Sequence, residues 1–440
     1  MKKDYPRLGE TVFWETLENG LTVAVVPRPG FSKKLCYFVT DYGAIHTQFM
    51  LDGKTVTAPA GIAHYLEHKM FDMPEGEISS RFASIGADVN AFTSYDMTAY
   101  YFSCTDRFSE ALRLLLSFVS TPYFTEESVR KEQGIIGQEI EMNADTPETV
   151  VFERLMACMY KNHPINTPIL GTRESISQIT PEILTKCHQA FYTPENMLLC
   201  VVGDVEEEQV CAIAREILPK TKKEKTLRPD RWEECIRVDQ HETHTKMEVA
   251  MPMFQMGFKC EDPGKGEEAV CREFVADLAS EALFGESSEL YLKLYEEGTI
   301  DGSFGGGFET VSGMGMLTVS GDSNDPYRVR KALLEGAREL CRKGIGEKEL
   351  LRMKRSAMGR RIRALDSGSS LIFRICAYYF TGFDYLNFPE IYEKITPREL
   401  TDFIRQTLRE ENCAISIIYP TKEEQVWITN IPEYPFPVSD

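Results

Sequence analysis

Ile179-Thr180-Pro181-Glu182 leads into Asn196-Met197-Leu198-Leu199-Cys200-Val201-Val202, and the same order returns as Ile395-Thr396-Pro397-Arg398 and Asn412-Cys413-Ala414-Ile415-Ser416-Ile417-Ile418. Both pairs are 216 residues apart. Thr followed by Pro is an N-cap and first-turn signal, and the apolar runs have strand length, so each copy reads as a helix delivering a buried strand. Earlier matches keep nearly the same spacing: Met70-Phe71 with Leu283-Phe284, and Gly86 with Gly298, each glycine leading into a strand-like stretch. Matches at nearly constant offset predict a duplicated unit.

Each half alternates strands, such as Leu21-Thr22-Val23-Ala24-Val25-Val26 and Thr98-Ala99-Tyr100-Tyr101-Phe102-Ser103, with helical patterns around 108–120, 126–143 and 181–191. The expected fold class is α+β, with two similar tandem domains that each back an antiparallel sheet with helices. A charged stretch bounded by Pro219 and Pro229 separates the copies. The predicted organisation is a first domain at 1–219, a charged linker at 220–239 and a second copy at 240–440.

With 440 residues, 42% of them hydrophobic, the chain has ample material for two cores. Its formal charge of −19 repels nucleic acid and anionic lipid, so neither is an expected partner. The start Met1-Lys2-Lys3-Asp4-Tyr5-Pro6 runs on without an apolar core segment, and no run suits a membrane span. Twelve cysteines occur, never as Cys-x-x-Cys and mostly among apolar neighbours, which reads as reduced thiols in a cytoplasmic protein. Gly305-Gly306-Gly307 precedes Phe308-Glu309, not the Lys-Ser of a phosphate loop.

The chemistry concentrates in His64-Tyr65-Leu66-Glu67-His68. Chance supplies such a His-x-x-Glu-His match in roughly one chain per hundred with this few histidines. On a helix the two histidines lie about 40° apart, with Glu67 about 60° to the other side of His64, so the three share a face. Two neutral imidazoles can grip one Zn²⁺ while the carboxylate handles the proton of a water. A third ligand is sought on another helix, and Glu132-Gln133-Gly134-Ile135-Ile136-Gly137-Gln138-Glu139 offers two carboxylates seven residues apart on one face. Gly134 and Gly137 lower helix propensity and suggest close approach by a neighbouring helix.

These residues resemble the inverted-motif zinc peptidases that include pitrilysin, insulin-degrading enzyme and the mitochondrial processing peptidase, and the resemblance spans both halves and is strongest to half-length bacterial members. It implies the fold of the processing peptidase, one zinc held by His64, His68 and Glu139, Glu67 as general base, and Glu132 as the carboxylate that orients the site. It also implies that extended or unfolded peptide substrate is held as an added strand along Asn90, Ala91 and Phe92. Members of the family carry an Arg/Tyr pair in the second half that grips substrate; here Tyr295 stands where the arginine would be. At the repeat offset, Asp277, Ser280 and Glu281 replace His64, Glu67 and His68, so the chain supplies one metal site. The implied assembly is a heterodimer with a zinc-less paralogue carrying the Arg/Tyr grip, or a homodimer, closing a chamber around the peptide. The alternative is a catalytically silent peptide-binding or assembly subunit.

His241-Glu242-Thr243-His244 is ligand-like in composition but runs into a strand pattern. His163 and His188 have no complementary ligands nearby in sequence, and Glu206-Glu207-Glu208 reads as the acidic opening of a helix.

Overall fold

Thr180 and Thr396 each cap a helix, accepting a hydrogen bond from the backbone N–H of Ile183 and Glu399, and Pro181 and Pro397 occupy the first turns. In the computed structural model, which describes residues 1–74, 76–220, 226–229 and 232–421, these helices (Pro181–Phe191 and Pro397–Thr407) are each followed by a central strand of a sheet.

Among the described residues the first sheet has seven strands: β1 (Lys2–Tyr5), β2 (Glu10–Thr16), β3 (Thr22–Pro27), β4 (Lys34–Thr40), β5 (Ala87–Thr93), β6 (Thr98–Cys104) and β7 (Met197–Gly203), in the order β1-β2-β3-β7-β4-β6-β5. The second contains β8 (Glu242–Met247), β9 (Met253–Cys260), β10 (Gly305–Val311), β11 (Met314–Asp322) and β12 (Cys413–Pro420), in the order β8-β12-β9-β11-β10. The run β3-β7-β4-β6-β5 is repeated strand for strand by the second sheet. Each sheet is antiparallel apart from one parallel pair in the same place, β3 with β7 and β8 with β12. The duplication read from the sequence therefore extends to topology. Every residue of β7 is buried, which explains its unbroken apolar run: both of its faces are covered.

Of the expected linker, residues 221–225, 230 and 231 lie outside the described residues. Thr226 and Leu227 hydrogen-bond to Ala190 and Met50 of the first half, and Arg228 pairs with Asp41 at 2.5 Å.

One face of the first sheet is packed by helices of its own half, among them α1 (Ile62–Met70), Phe108–Ser120 and α2 (Glu126–Ala144), with Leu66, Phe102, Leu112, Ile136 and Val201 in a common core. The other face carries Ala24, Val26, Tyr37, Val39 and Cys200, which join a core with residues of the second half. The halves exchange covers. Helix α3 (Pro147–Met159) lies on β8, β9 and β12 of the second sheet, and a second-half helix, Gly368–Thr381, lies on β4 and β7 of the first through Leu371, Ile372, Ile375 and Cys376.

Helix α1 starts from a constrained corner. Its N-cap, Gly61, has φ 88°, and a Cβ there would stand 2.4 Å from the carbonyl oxygen of Leu170. Gly171, at φ 73°, meets the same corner from the other side: a Cβ on it would lie 2.5 Å from Ala60 O. Gly61→Ala combines a left-handed conformation with a backbone clash, and is expected to cost about 2 kcal/mol or more. The urea midpoint of the variant measures this; an unchanged midpoint would show that the corner relaxes freely.

Candidate metal and catalytic site

Helix α1 buries Ile62, Ala63, Tyr65, Leu66 and Met70 in the first core, and the Tyr65 hydroxyl donates to Val129 O, fastening α1 to α2. Helix α2 is set by a capping box between Thr125 and Ser128 and anchored through buried Val129 and Ile136. With apolar residues fixing both helices, His64, Glu67 and His68 of α1 face Glu132 and Glu139 of α2. The close-approach reading of the two glycines needs correction for Gly134, which faces open space. Buried Gly137 faces the guanidinium of Arg173, the first residue of the short helix Arg173–Ile176 that contacts α2, and Arg173 also pairs with Glu141 at 2.6 Å.

His64 Nε2 and His68 Nε2 each lie 3.6 Å from an oxygen of Glu139. That is too long for a hydrogen bond and close to the roughly 3.3–3.5 Å that separates two ligand atoms on one tetrahedral zinc. Ligand atoms of these three residues all lie within 4.8 Å of one another. The imidazoles sit 4.5 Å apart, centroid to centroid. Both Nε2 atoms therefore aim at the same point, where a two-nitrogen, one-oxygen donor set fits zinc and leaves a fourth position open.

The surroundings prepare the donors differently. Burial, with the charge of His68 beside it, holds His64 down at about 3, so the ring is neutral, the form a metal requires. For His68, burial favours the neutral ring but is outweighed by the Glu132 hydrogen bond and the charges of Glu67, Glu132 and Glu139, which raise its pKa. Glu132 Oε1 lies 3.0 Å from His68 Nδ1 and fixes the ring with Nε2 toward Glu139. Glu132→Gln keeps the shape but removes the charge, and is expected to weaken metal affinity roughly 10–100-fold, as loss of such an orienting carboxylate does. Competition with a chromophoric chelator would reveal it; unaltered affinity would deny Glu132 this role.

Glu67 is 8% exposed, and burial raises its pKa, opposed by a hydrogen bond from the Thr93 hydroxyl and by the charge of His68. Thr93 Oγ1 donates to Glu67 Oε2 at 2.7 Å. Sequence reasoning gave Thr93 no contact with Glu67. The alternation of side chains along β5 was the available signal, since it puts Thr93 and Ala91 on one face. Asn90, Ala91 and Phe92 lie in β5, which among the described residues pairs only with β6 and so forms the edge of the sheet. Asn90 Oδ1 accepts from the N–H of Ala91 at 2.8 Å.

The remaining candidates stand elsewhere. His244 Nε2 is 2.9 Å from the Tyr327 hydroxyl and His241 Nδ1 3.0 Å from Cys413 O, beside or within β8. His163 Nε2 is held at 2.9 Å from Ser312 O, and His188 Nε2 at 3.0 Å from Val119 O. Glu206 occupies the N-cap position of the helix Glu207–Ile217 without a side-chain cap hydrogen bond, with Glu207 and Glu208 in the first turn.

In the second half, α4 (Gly266–Phe284) packs against α5 (Glu347–Ala364) much as α1 packs against α2. Asp277, at the place of His64, meets a guanidinium: Arg361 lies 3.3 Å from it and 3.4 Å from Glu273. Burial and the charge of Glu273 push Asp277 up to about 6 despite that arginine. Arg360 stands 3.6 Å from Glu281. Tyr295 is 53% exposed and stacked on Tyr291 at 5.8 Å.

An inverted His-x-x-Glu-His motif on a buried helix, a carboxylate from a second helix and a duplicated sheet together define a class, the inverted-motif metallopeptidases. Residues 56–173 match the insulinase family, peptidase family M16, and residues 178–357 the M16 peptidase inactive domain. The uncharacterized zinc protease YmfH of Bacillus subtilis (strain 168) is 37% identical over 428 residues, 95% of this chain and 98% of that protein. A putative M16-like peptidase from Alicyclobacillus acidocaldarius superposes with a TM-score of 0.89 at 31% identity, over 94% of this chain and 99% of that one. Pitrilysin shares the fold, with a TM-score of 0.79 at 17% identity, and 94% of this chain covers 45% of pitrilysin. The chain belongs to peptidase family M16. Among the described residues, no helix is long and apolar enough to cross a membrane.

Proposed function

We propose that the chain is a zinc endopeptidase for extended or unfolded peptides. The unit at 1–219 carries one metal, and it connects through 220–239 to a metal-free copy at 240–440. The observation that carries this reading is the convergence of His64 Nε2, His68 Nε2 and Glu139 on one point, with the Glu67 carboxylate on the same helix face. Bound there, zinc supplies Lewis-acid polarisation of the scissile carbonyl and makes a water molecule more acidic. Glu67 takes the proton of that water and passes it to the leaving amine, and its burial raises its basicity for the task. Glu132 keeps His68 in one orientation, and Thr93 keeps the Glu67 carboxylate in one rotamer. The edge strand around Asn90, Ala91 and Phe92 receives the peptide main chain, which makes recognition depend on extension more than on side chains.

Tyr295 at the place of the family's arginine supports a chamber shared with a zinc-less paralogue that supplies the missing Arg/Tyr grip, a homodimer being the other arrangement. The same substitution favours the second reading, a subunit that binds peptide without cutting it. The cysteine pattern supports a cytoplasmic setting. The deciding experiment is metal content by mass spectrometry together with cleavage of a quenched unstructured peptide, for the chain alone and co-expressed with such a paralogue. One zinc per chain with chelator-sensitive cleavage is the expected result, and dependence on the paralogue would account for Tyr295. Zinc without cleavage in every combination would favour the binding subunit.

A further inference from the structure

The charged stretch between the halves is seated on the first half by residues 226–228, and the last of these brings a largely buried guanidinium. Arg228 donates to the backbone carbonyl of Asp41 and, at 2.5 Å, to its carboxylate, the two side chains being 13% and 11% exposed. The guanidinium also lies 5.9 Å from the ring of Phe191. Taking such a charge out of water is costly even when it is paired, and a stretch that merely joins two halves needs none there.

What Arg228 holds is the far end of the support for Glu67. Asp41 follows β4 directly and opens a loop, 41–46, that interlocks with the turn 94–97 by which the chain leaves β5 after Thr93. Ala44 and Ile45 donate their N–H groups to Ser94 O at 3.0 Å and Tyr95 O at 2.9 Å. A Cβ on Gly43 would stand 2.6 Å from Asp96 N and from Ser94 O, so the loop and the turn meet backbone to backbone. On the other side of the turn, the Thr98 hydroxyl donates to Tyr42 O at 2.8 Å and stands 3.5 Å from the Thr93 hydroxyl, which donates to Glu67. Contacts therefore run without a break from Arg228 through Asp41, the loop and the turn to Thr93 and the Glu67 carboxylate.

We infer that Arg228 is a positioning residue for the general base: by fixing the loop 41–46 it fixes the turn 94–97 and the place of Thr93, and so keeps the Glu67 carboxylate in its working orientation. The inference rests on the endopeptidase reading and brings a residue of the stretch between the halves into it. The partners of Arg228, Asp41 and Phe191, are neither metal donors nor part of the strand at 90–92. Its loss should accordingly act on turnover and leave zinc and peptide binding as they are.

The test is a double-mutant cycle read as kcat and KM on the quenched peptide, with zinc content, for the full chain, Arg228→Gln, Thr93→Val and the double variant, each with the paralogue if cleavage requires it. In Arg228→Gln kcat per bound zinc is expected to fall about tenfold with KM unchanged, in keeping with the cost of a misplaced catalytic group. Arg228→Lys, which keeps the charge, should recover part of the loss. In the Thr93→Val background Arg228→Gln should cost little more, because its effect travels through Thr93. Should Arg228→Gln fail to fold, Asp41→Asn, which keeps an acceptor but weakens the same pair, runs the same cycle. An unchanged kcat per zinc, or losses that simply multiply in the double variant, overturns the inference and leaves the peptidase reading intact. No cleavage by the wild-type chain, with or without the paralogue, removes the peptidase reading and this inference with it.

Discussion

Glu67→Gln is expected to lower peptide turnover by about 10³-fold or more while zinc stays bound. General acid–base catalysis contributes roughly 10²–10⁴-fold, and here one carboxylate has both to take a proton and to return it. Gln is nearly isosteric and can still accept from Thr93 through its amide oxygen, so the packing of α1 should survive. It cannot take up the proton. The separating measurement is kcat together with metal content: turnover lost at one zinc per chain locates the defect in proton transfer. Turnover near the wild-type level would sink the general-base assignment, and zinc lost along with turnover would make Glu67 part of the metal's support instead.

Glu139→Ala should have the second largest effect, this time on the metal itself. The substitution leaves two imidazoles from a single helix, removes the anionic donor of the set and breaks the link that metal would make between α1 and α2. The loss in affinity should exceed the roughly 10–100-fold that follows from removing an outer partner. Protein purified without added zinc is expected to carry almost none, where the parent carries one equivalent. Because Glu139 is partly exposed and apolar residues anchor both helices, the fold should persist, and the far-ultraviolet circular dichroism of the variant should match the parent. Wild-type zinc content in Glu139→Ala would remove this residue from the ligand set.

Much of this architecture could be read directly from residues. The Thr-Pro starts, the apolar runs of β7 and β12 and their common offset announced a repeated unit because each is a local signal with a local cause. The motif helix was equally plain, since His64, Glu67 and His68 share a face by spacing alone. The seven-residue interval offered Glu132 and Glu139 together, and only the family resemblance implied that Glu139 is the ligand. Features requiring a third dimension stayed hidden. The Thr93 hydroxyl reaches Glu67 only because β5 and α1 pack at one particular height, and no spacing encodes that. The parallel pairs β3/β7 and β8/β12 depend on where a returning chain inserts in the sheet. Gly134 shows the opposite failure: a propensity signal taken for close packing belonged to an open surface. Phe92 and Phe373 are 281 residues apart, and only the exchange of covering helices brings them together.

That exchange also bears on how the chain is made. As synthesis proceeds from the N-terminus, the first sheet gains its last strand, β7, by Gly203, yet the helix that seals its second face ends only at Thr381. For the nearly 180 intervening residues Val26, Val39 and Cys200 have no final cover, and the apolar side of α3 waits for a sheet not yet translated. Contacts of such long sequence separation are slow to form and leave greasy surface open to other chains in the meantime. Released nascent chains ending near residue 219 should therefore be sticky, protease-sensitive species, and the two halves should acquire native protection in one late step once Pro420, the end of β12, has cleared the ribosome.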